Sequence, residues 1–168
     1  ASSGESRGGG GGEPGMAKSL RMNVTMVGAE QTLRKFRDLP KDASNELRDA
    51  SNRLAQELVD PIKRAAESDP SPQAALFAPT VRVRRDRVPS IAVGGAKRVG
   101  RRRVPVWQIL FGAEFGSNRY AQFGKHHAGD DPEGPVFGVI ERERTRIANA
   151  WFKAADDIVD RFTEGGDV

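Results

Sequence analysis

The sequence predicts an α+β fold, with a small antiparallel sheet packed against one long helix in the N-terminal half and another at the C-terminal end. Three observations carry this expectation. Leu20, Met22, Val24 and Met26 alternate with Arg21, Asn23 and Thr25, the two-residue period of a half-buried strand. Two longer stretches, near 42–67 and 136–162, repeat apolar residues at spacings of three and four. Between them lie short β-branched runs separated by turn residues.

The first residues, "ASSGESRGGGGGEPG", hold seven glycines and no large apolar side chain. Ordering them costs backbone entropy with no burial to offset it, so 1–17 is expected to be a flexible tail. Met16 is either an alternative start or the point where the packed region begins. A single α+β domain is expected over 18–163, with 164–168 as a flexible C-terminus. Gly28 ends the first strand, and "AEQTLRKFRDL" fits a short helix that buries Leu33, Phe36 and Leu39 before Pro40 closes it.

The longer helix, 42–67, places Leu47, Ala50, Leu54, Leu58, Ile62 and Ala65 on one face, with Arg48, Asn52, Arg53 and Glu57 elsewhere. Pro61 removes one backbone donor and predicts a kink, and "SDPSPQ" ends the helix. Val81 and Val83, then Ile91 and Val93, predict a hairpin turning at 86–89, its exposed face basic. "GGAKRVGRRR" reads as a Gly-rich basic loop, and 106–111 as a short apolar helix ending at Gly112. An irregular loop is expected over 116–135. The final helix carries a stripe of Phe137, Ile140, Ile147, Trp151, Ala154, Ile158 and Phe162, with Glu and Arg opposite.

Hydrophobic residues make up 37% of the chain and charged ones 30%, which predicts a small core that neighbouring subunits complete. The absence of cysteine removes disulfides and thiolate chemistry. No run approaches the roughly 18 to 20 apolar residues that span a bilayer, and the N-terminus lacks the apolar core of a secretory signal, so no membrane partner is expected. Over 80–104, Arg82, Arg84, Arg85, Arg87, Lys97, Arg98, Arg101, Arg102 and Arg103 face one acid, Asp86. This gives the segment +8 and leaves −4 for the rest of a chain whose total is +4. Such a split suits docking on acidic protein surfaces as well as contact with DNA backbone.

Enzyme signals are thin, and neither catalysis nor a cofactor is expected. His126 and His127 with Asp130 and Asp131 are the one candidate metal cluster, but neighbours in an extended loop point apart, and no HxH or HExxH spacing supports them. No GxSxG elbow, Walker loop or dinucleotide fingerprint is present, and the spacing in "VGGAKRVG" does not make a phosphate cradle. Trp151 and Phe152 read as core residues, or as part of a seam between subunits.

The order of the first strand, "LRKFRDLP", the long amphipathic helix, the basic hairpin, "ILFGAEFGSNRYAQF", a Gly- and Pro-containing loop and "GPVFGVIERERTRIANAW" in the closing helix is informative. It resembles the tail-completion, or neck, protein family of long-tailed double-stranded DNA phages. The likeness covers roughly Leu20 to Phe162 and is closest to members in phages and prophages of actinobacteria. Phe111 to Gly116 looks like the family's aromatic-Glu-Phe-Gly signature, and Pro135-Val136-Phe137 is similar to its entry to the final helix. Common members carry an Asp-Thr-Gly turn after the long helix, where this chain has Asp69-Pro70-Ser71-Pro72.

The resemblance implies a virion subunit, present in the host cytoplasm during assembly, that forms a homo-oligomeric ring, expected to be hexameric. That ring lies in the neck between capsid connector and tail, as a head-to-tail connector, tail-completion or tail-terminator protein. Its partners are the adjacent neck and tail-tube proteins, with transient contact to duplex DNA in the channel. Trp107, Phe111, Phe115, Phe137 and Trp151 are expected as core or turn anchors, and Gly112 and Gly116 as the site of a tight reversal. Glu114 then either pairs with an arginine, within the subunit or across a ring contact, or faces solvent. The rival expectation is a nonspecific DNA-binding protein using 80–104.

Overall fold

The computed structural model describes residues 19–95, 97–115 and 134–165. The expected N-terminal tail, positions 116–133 of the expected loop and the last three residues lie outside them, and so do Gly116, His126, His127, Asp130, Asp131 and the Phe115 side chain.

The architecture is α+β. Strand β1 (Ser19–Asn23) is followed by helix α1 (Ala29–Lys35), a 3-10 turn (Phe36–Asp38) and the long helix α2 (Lys41–Glu67). Two further 3-10 turns (Pro72–Leu76, Ala78–Thr80) lead into β2 (Arg82–Arg84) and β3 (Ser90–Gly94). Then come the short strands β4 (Arg98–Val99) and β5 (Val104–Pro105), helix α3 (Val106–Phe115) and helix α4 (Phe137–Glu164).

β3 is the middle strand of an antiparallel sheet ordered β1-β3-β2. Its register places Met22, Ile91 and Val83 in one row and Arg21, Ala92 and Arg82 in the next. Alternation therefore sorts the faces: Met22 and Ile91 join the core, while the outward row begins and ends in arginine. The basic outer face read from the sequence is present.

α2 packs against β2, β3 and α4. Its buried face is Ala43, Leu47, Ala50, Ser51, Ala55, Leu58, Val59, Ile62 and Ala66, with Leu54 and Ala65 at the margin. The helix runs on through Pro61. The two long helices are antiparallel, since Glu46 meets Arg161 while Glu57 meets Arg146. After α2, the Asp69 carboxylate accepts the Ser71 N–H at 2.8 Å, and Phe77 is fully buried beneath the paired 3-10 turns. Thr80 Oγ1 donates to the Phe77 carbonyl at 2.6 Å and accepts the Gly94 N–H at 3.0 Å, tying this entry to the end of β3.

Two expectations need correction here. "GGAKRVGRRR" is not simply a loop: Val99 pairs with Val104 and Arg98 with Pro105, so a second hairpin forms, its two valines packed at the core margin. Gly112 does not end α3. The helix continues through it to Phe115, and Gly112 is buried without a positive φ. A glycine within a helix costs only about 1 kcal/mol, which the burial of neighbouring Leu110 and Ala113 outweighs.

Candidate functional site

The nine basic residues of the 80–104 segment do not act as one surface. Arg82 is committed within the subunit: its guanidinium donates to the carbonyls of Gly94 at 2.8 Å and Thr80 at 3.1 Å. Arg98 donates to the Arg103 carbonyl at 3.0 Å and so closes its own hairpin. Arg85 pairs with Asp49 of α2 at 3.2 Å, an exposed contact worth well under about 1 kcal/mol. Arg84 is half-buried on the sheet.

The turn between β4 and β5 is the exposed remainder. Gly100, Arg101, Arg102 and Arg103 connect the paired valines, and the three arginines are exposed with no ion pair among the described residues. Lys97 is exposed at the start of the same hairpin. Gly100 adopts φ 75° and Arg103 φ 50°, so a non-glycine residue sits in the left-handed region. Leu76 lies near the Gly100 backbone and is more than a third exposed. The turn thus offers concentrated positive charge beside a small apolar spot.

The other hairpin is fastened from below. The carbonyl of Arg87, in the β2–β3 turn, accepts Ser51 Oγ at 2.8 Å and Trp151 Nε1 at 2.8 Å. The indole N–H is shared with Ser51 Oγ at 3.0 Å. One carbonyl therefore joins the turn to both long helices. Trp151 is fully buried, as expected of a core residue, and stacks edge-on against Phe152 with centroids 5.1 Å apart. Its polar role was not anticipated; the signal was Ser51, a hydroxyl inside the apolar stripe of α2.

Of the alternatives for Glu114, exposure to solvent is the one the fold removes. The residue is buried, and its partners among the described residues are backbone groups rather than an arginine. The carboxylate accepts the N–H of Val136, and that of Phe137 at 3.4 Å. It thereby caps the first turn of α4, where Val136 offers no side-chain oxygen of its own. Burial pushes its pKa up to about 7, with nearby Asp69 adding to the rise and the two backbone N–H donors opposing it. Gly134 is packed so closely that a Cβ there would overlap Glu114 Oε2.

The aromatic anchors divide as well. Val106, Ile109, Leu110 and Ala113 form the inner face of α3, whereas Phe111 is 44% exposed and Trp107 half-buried. Their rings meet edge-on at 6.4 Å on the outer side of the helix. Phe111 is therefore not a core anchor, because the aliphatic side of α3 faces the core, against β3, β5 and the Pro72–Leu76 turn. Phe137 is half-buried against the core at the start of α4.

Among the described residues no group of three or more His, Asp or Glu side chains could hold a metal ion, and no helix is long and apolar enough to cross a membrane. No protein-family model matches the chain, and neither a curated protein nor a solved structure matches it.

Proposed function

We propose that the chain is a structural virion protein, a subunit of the ring in the neck of a long-tailed phage that joins the capsid connector to the tail. The observation that carries this reading is the β4–β5 turn: Arg101, Arg102 and Arg103 stand exposed and unpaired among the described residues, on a hairpin fixed by Arg98. The order of motifs from strand β1 to helix α4, similar to that of neck proteins, supports the same assignment.

The mechanism is geometric. Identical subunits repeat one head-to-tail contact until the ring closes, and its two annular faces meet different partners. The arginine turn docks on acidic surfaces of a neighbouring ring, with contact to passing DNA secondary. Firm phosphate binding along a conduit would slow DNA exit, since each neutralised phosphate adds to the cost of sliding. Committing Arg82 and Arg98 to main-chain carbonyls of their own subunit lowers the largest salt slope the segment could give from roughly −8 to roughly −6.

Alanine at Arg101, Arg102 and Arg103 tests this. Filled heads and free tails should accumulate unjoined in micrographs while the variant subunit melts like the wild type. Normal yields of joined particles would overturn the assignment. Steeply salt-dependent binding of duplex DNA by an isolated, non-assembling subunit would replace it with a nonspecific DNA-binding role.

A further inference from the structure

We propose that the cleft between α1 and the β2–β3 turn is a phosphate-binding site formed by the guanidinium groups of Arg34, Arg37 and Arg87. The cleft has a volume of about 270 Å³ and is lined by these three arginines with Leu33 and Glu30. Three guanidiniums and one carboxylate leave it with a charge of +2. None of the three arginines forms an ion pair among the described residues, although Asp and Glu are plentiful on α2 and α4.

Local helix physics accounts for Arg34, which stands four residues after Glu30 on α1, but not for Arg37 and Arg87 beside it. A cation in the last turn of α1 favours the helix dipole, and Lys35 already supplies one there. Arg34 and Arg37 stand three apart, a like-charged spacing that costs a few tenths of a kcal/mol. Arg87 arrives from a separate part of the chain and adds to the repulsion. Its approach is fixed: the carbonyl is held by Ser51 and Trp151, and its N–H donates to Asp86 at 2.6 Å. The main chain is thus set from both sides, and the residue lines the cleft.

The ligand class follows from donor geometry. Each guanidinium presents a planar fork of donors, and three forks from α1, the 3-10 turn after it and the β2–β3 turn call for acceptors that point in several directions. A carboxylate offers two coplanar oxygens. A free phosphate offers four oxygens about a tetrahedron and about two negative charges, matching the +2 of the cleft, and a nucleic-acid phosphodiester offers two non-bridging oxygens and one charge.

The site shares no residue with the β4–β5 turn, so it stands or falls separately from the ring assignment. The full chain and its Arg34→Gln, Arg37→Gln, Arg87→Gln and Arg53→Gln variants, the last at an exposed position of α2 outside both the cleft and the β4–β5 turn, would be titrated with inorganic phosphate by calorimetry, and with a short DNA duplex by fluorescence anisotropy. Saturable phosphate binding that falls at least about tenfold, near 1.4 kcal/mol, in the cleft variants but not in Arg53→Gln would establish the site for free phosphate. The same pattern with the duplex alone would assign it to a nucleic-acid backbone. Arg87→Gln keeps the anchored carbonyl, so its melting curve should match the wild type; Arg34→Gln and Arg37→Gln, at exposed positions, serve equally if it does not. Absence of binding in both arms, or losses no greater than in Arg53→Gln, would overturn the proposal.

Discussion

The indole Nε1 of Trp151 donates to the main-chain carbonyl of Arg87 at 2.8 Å, so a residue in the middle of α4 holds the tip of the first basic hairpin. A Trp151→Phe change removes that donor and part of the core volume. Ser51→Ala removes the second donor to the same oxygen. Each should cost about 1 to 3 kcal/mol in urea unfolding, Trp151→Phe being the larger. Because both address one carbonyl, the double variant should depart from additivity by more than about 0.5 kcal/mol. Strict additivity would mean the three groups do not form a unit.

Glu114 makes stability depend on pH in an unusual direction for a carboxylate. Its folded pKa, near 7, lies above the ordinary 4.5. The protonated form is therefore favoured by folding, and its contribution is complete below pH 4.5 and lost as pH rises through 7. The full swing amounts to about 3 kcal/mol at most. Glu114→Gln, which mimics the neutral acid, should flatten this part of the profile and gain on the wild type between pH 5 and pH 8. Parallel urea midpoints for the two proteins across that range would contradict the assignment.

Gly134 is required by the space that Glu114 occupies. Gly134→Ala should destabilise the chain by about 2 kcal/mol or more, since the carboxylate must leave the start of α4 to admit a methyl group. Shortening the partner should restore part of the loss, so Gly134→Ala in a Glu114→Ala background should cost less than in the wild type. Thermal melts of the four proteins provide the check.

Arg103 sits at φ 50°, a conformation that costs an L-residue about 1 to 2 kcal/mol. Its carbonyl, rather than its side chain, accepts the Arg98 guanidinium. Arg103→Gly should therefore raise the melting temperature, with a gain of about 1 kcal/mol, while lowering the charge of the turn. A fall in stability would show that the guanidinium itself supports the hairpin.

The long helices and the first strand were legible because burial over many residues imposes a period. Met22, Val24 and Met26 are buried as the alternation requires, although β1 itself ends at Asn23 rather than at Gly28, and Leu47, Leu58, Ile147, Trp151 and Ile158 lie on the faces their spacing assigned. Small residues carried less signal: Ala155 rather than Ala154 is the fully buried alanine of α4, and Ala43, Ala55 and Ala66 complete the face of α2. Strands β4 and β5 have two residues each, too few to display a period. The cap on α4 was hidden because its acceptor comes from a different helix; the one clue was Glu114 itself, the sole charge in the apolar run 106–115. The arginine cleft was likewise invisible, because no local pattern brings Arg87 beside Arg34 and Arg37.

The position of β2 at the margin of its sheet has a further effect. The strand is only three residues long, two of them arginine, and Arg82 folds back onto the carbonyl of Gly94. A foreign strand approaching that margin finds little main chain to pair with and a cation in its path, so fibril-like extension of the sheet stops there. Recognition of any other surface at this border is thereby left to side chains, which can be specific in a way that exposed backbone cannot.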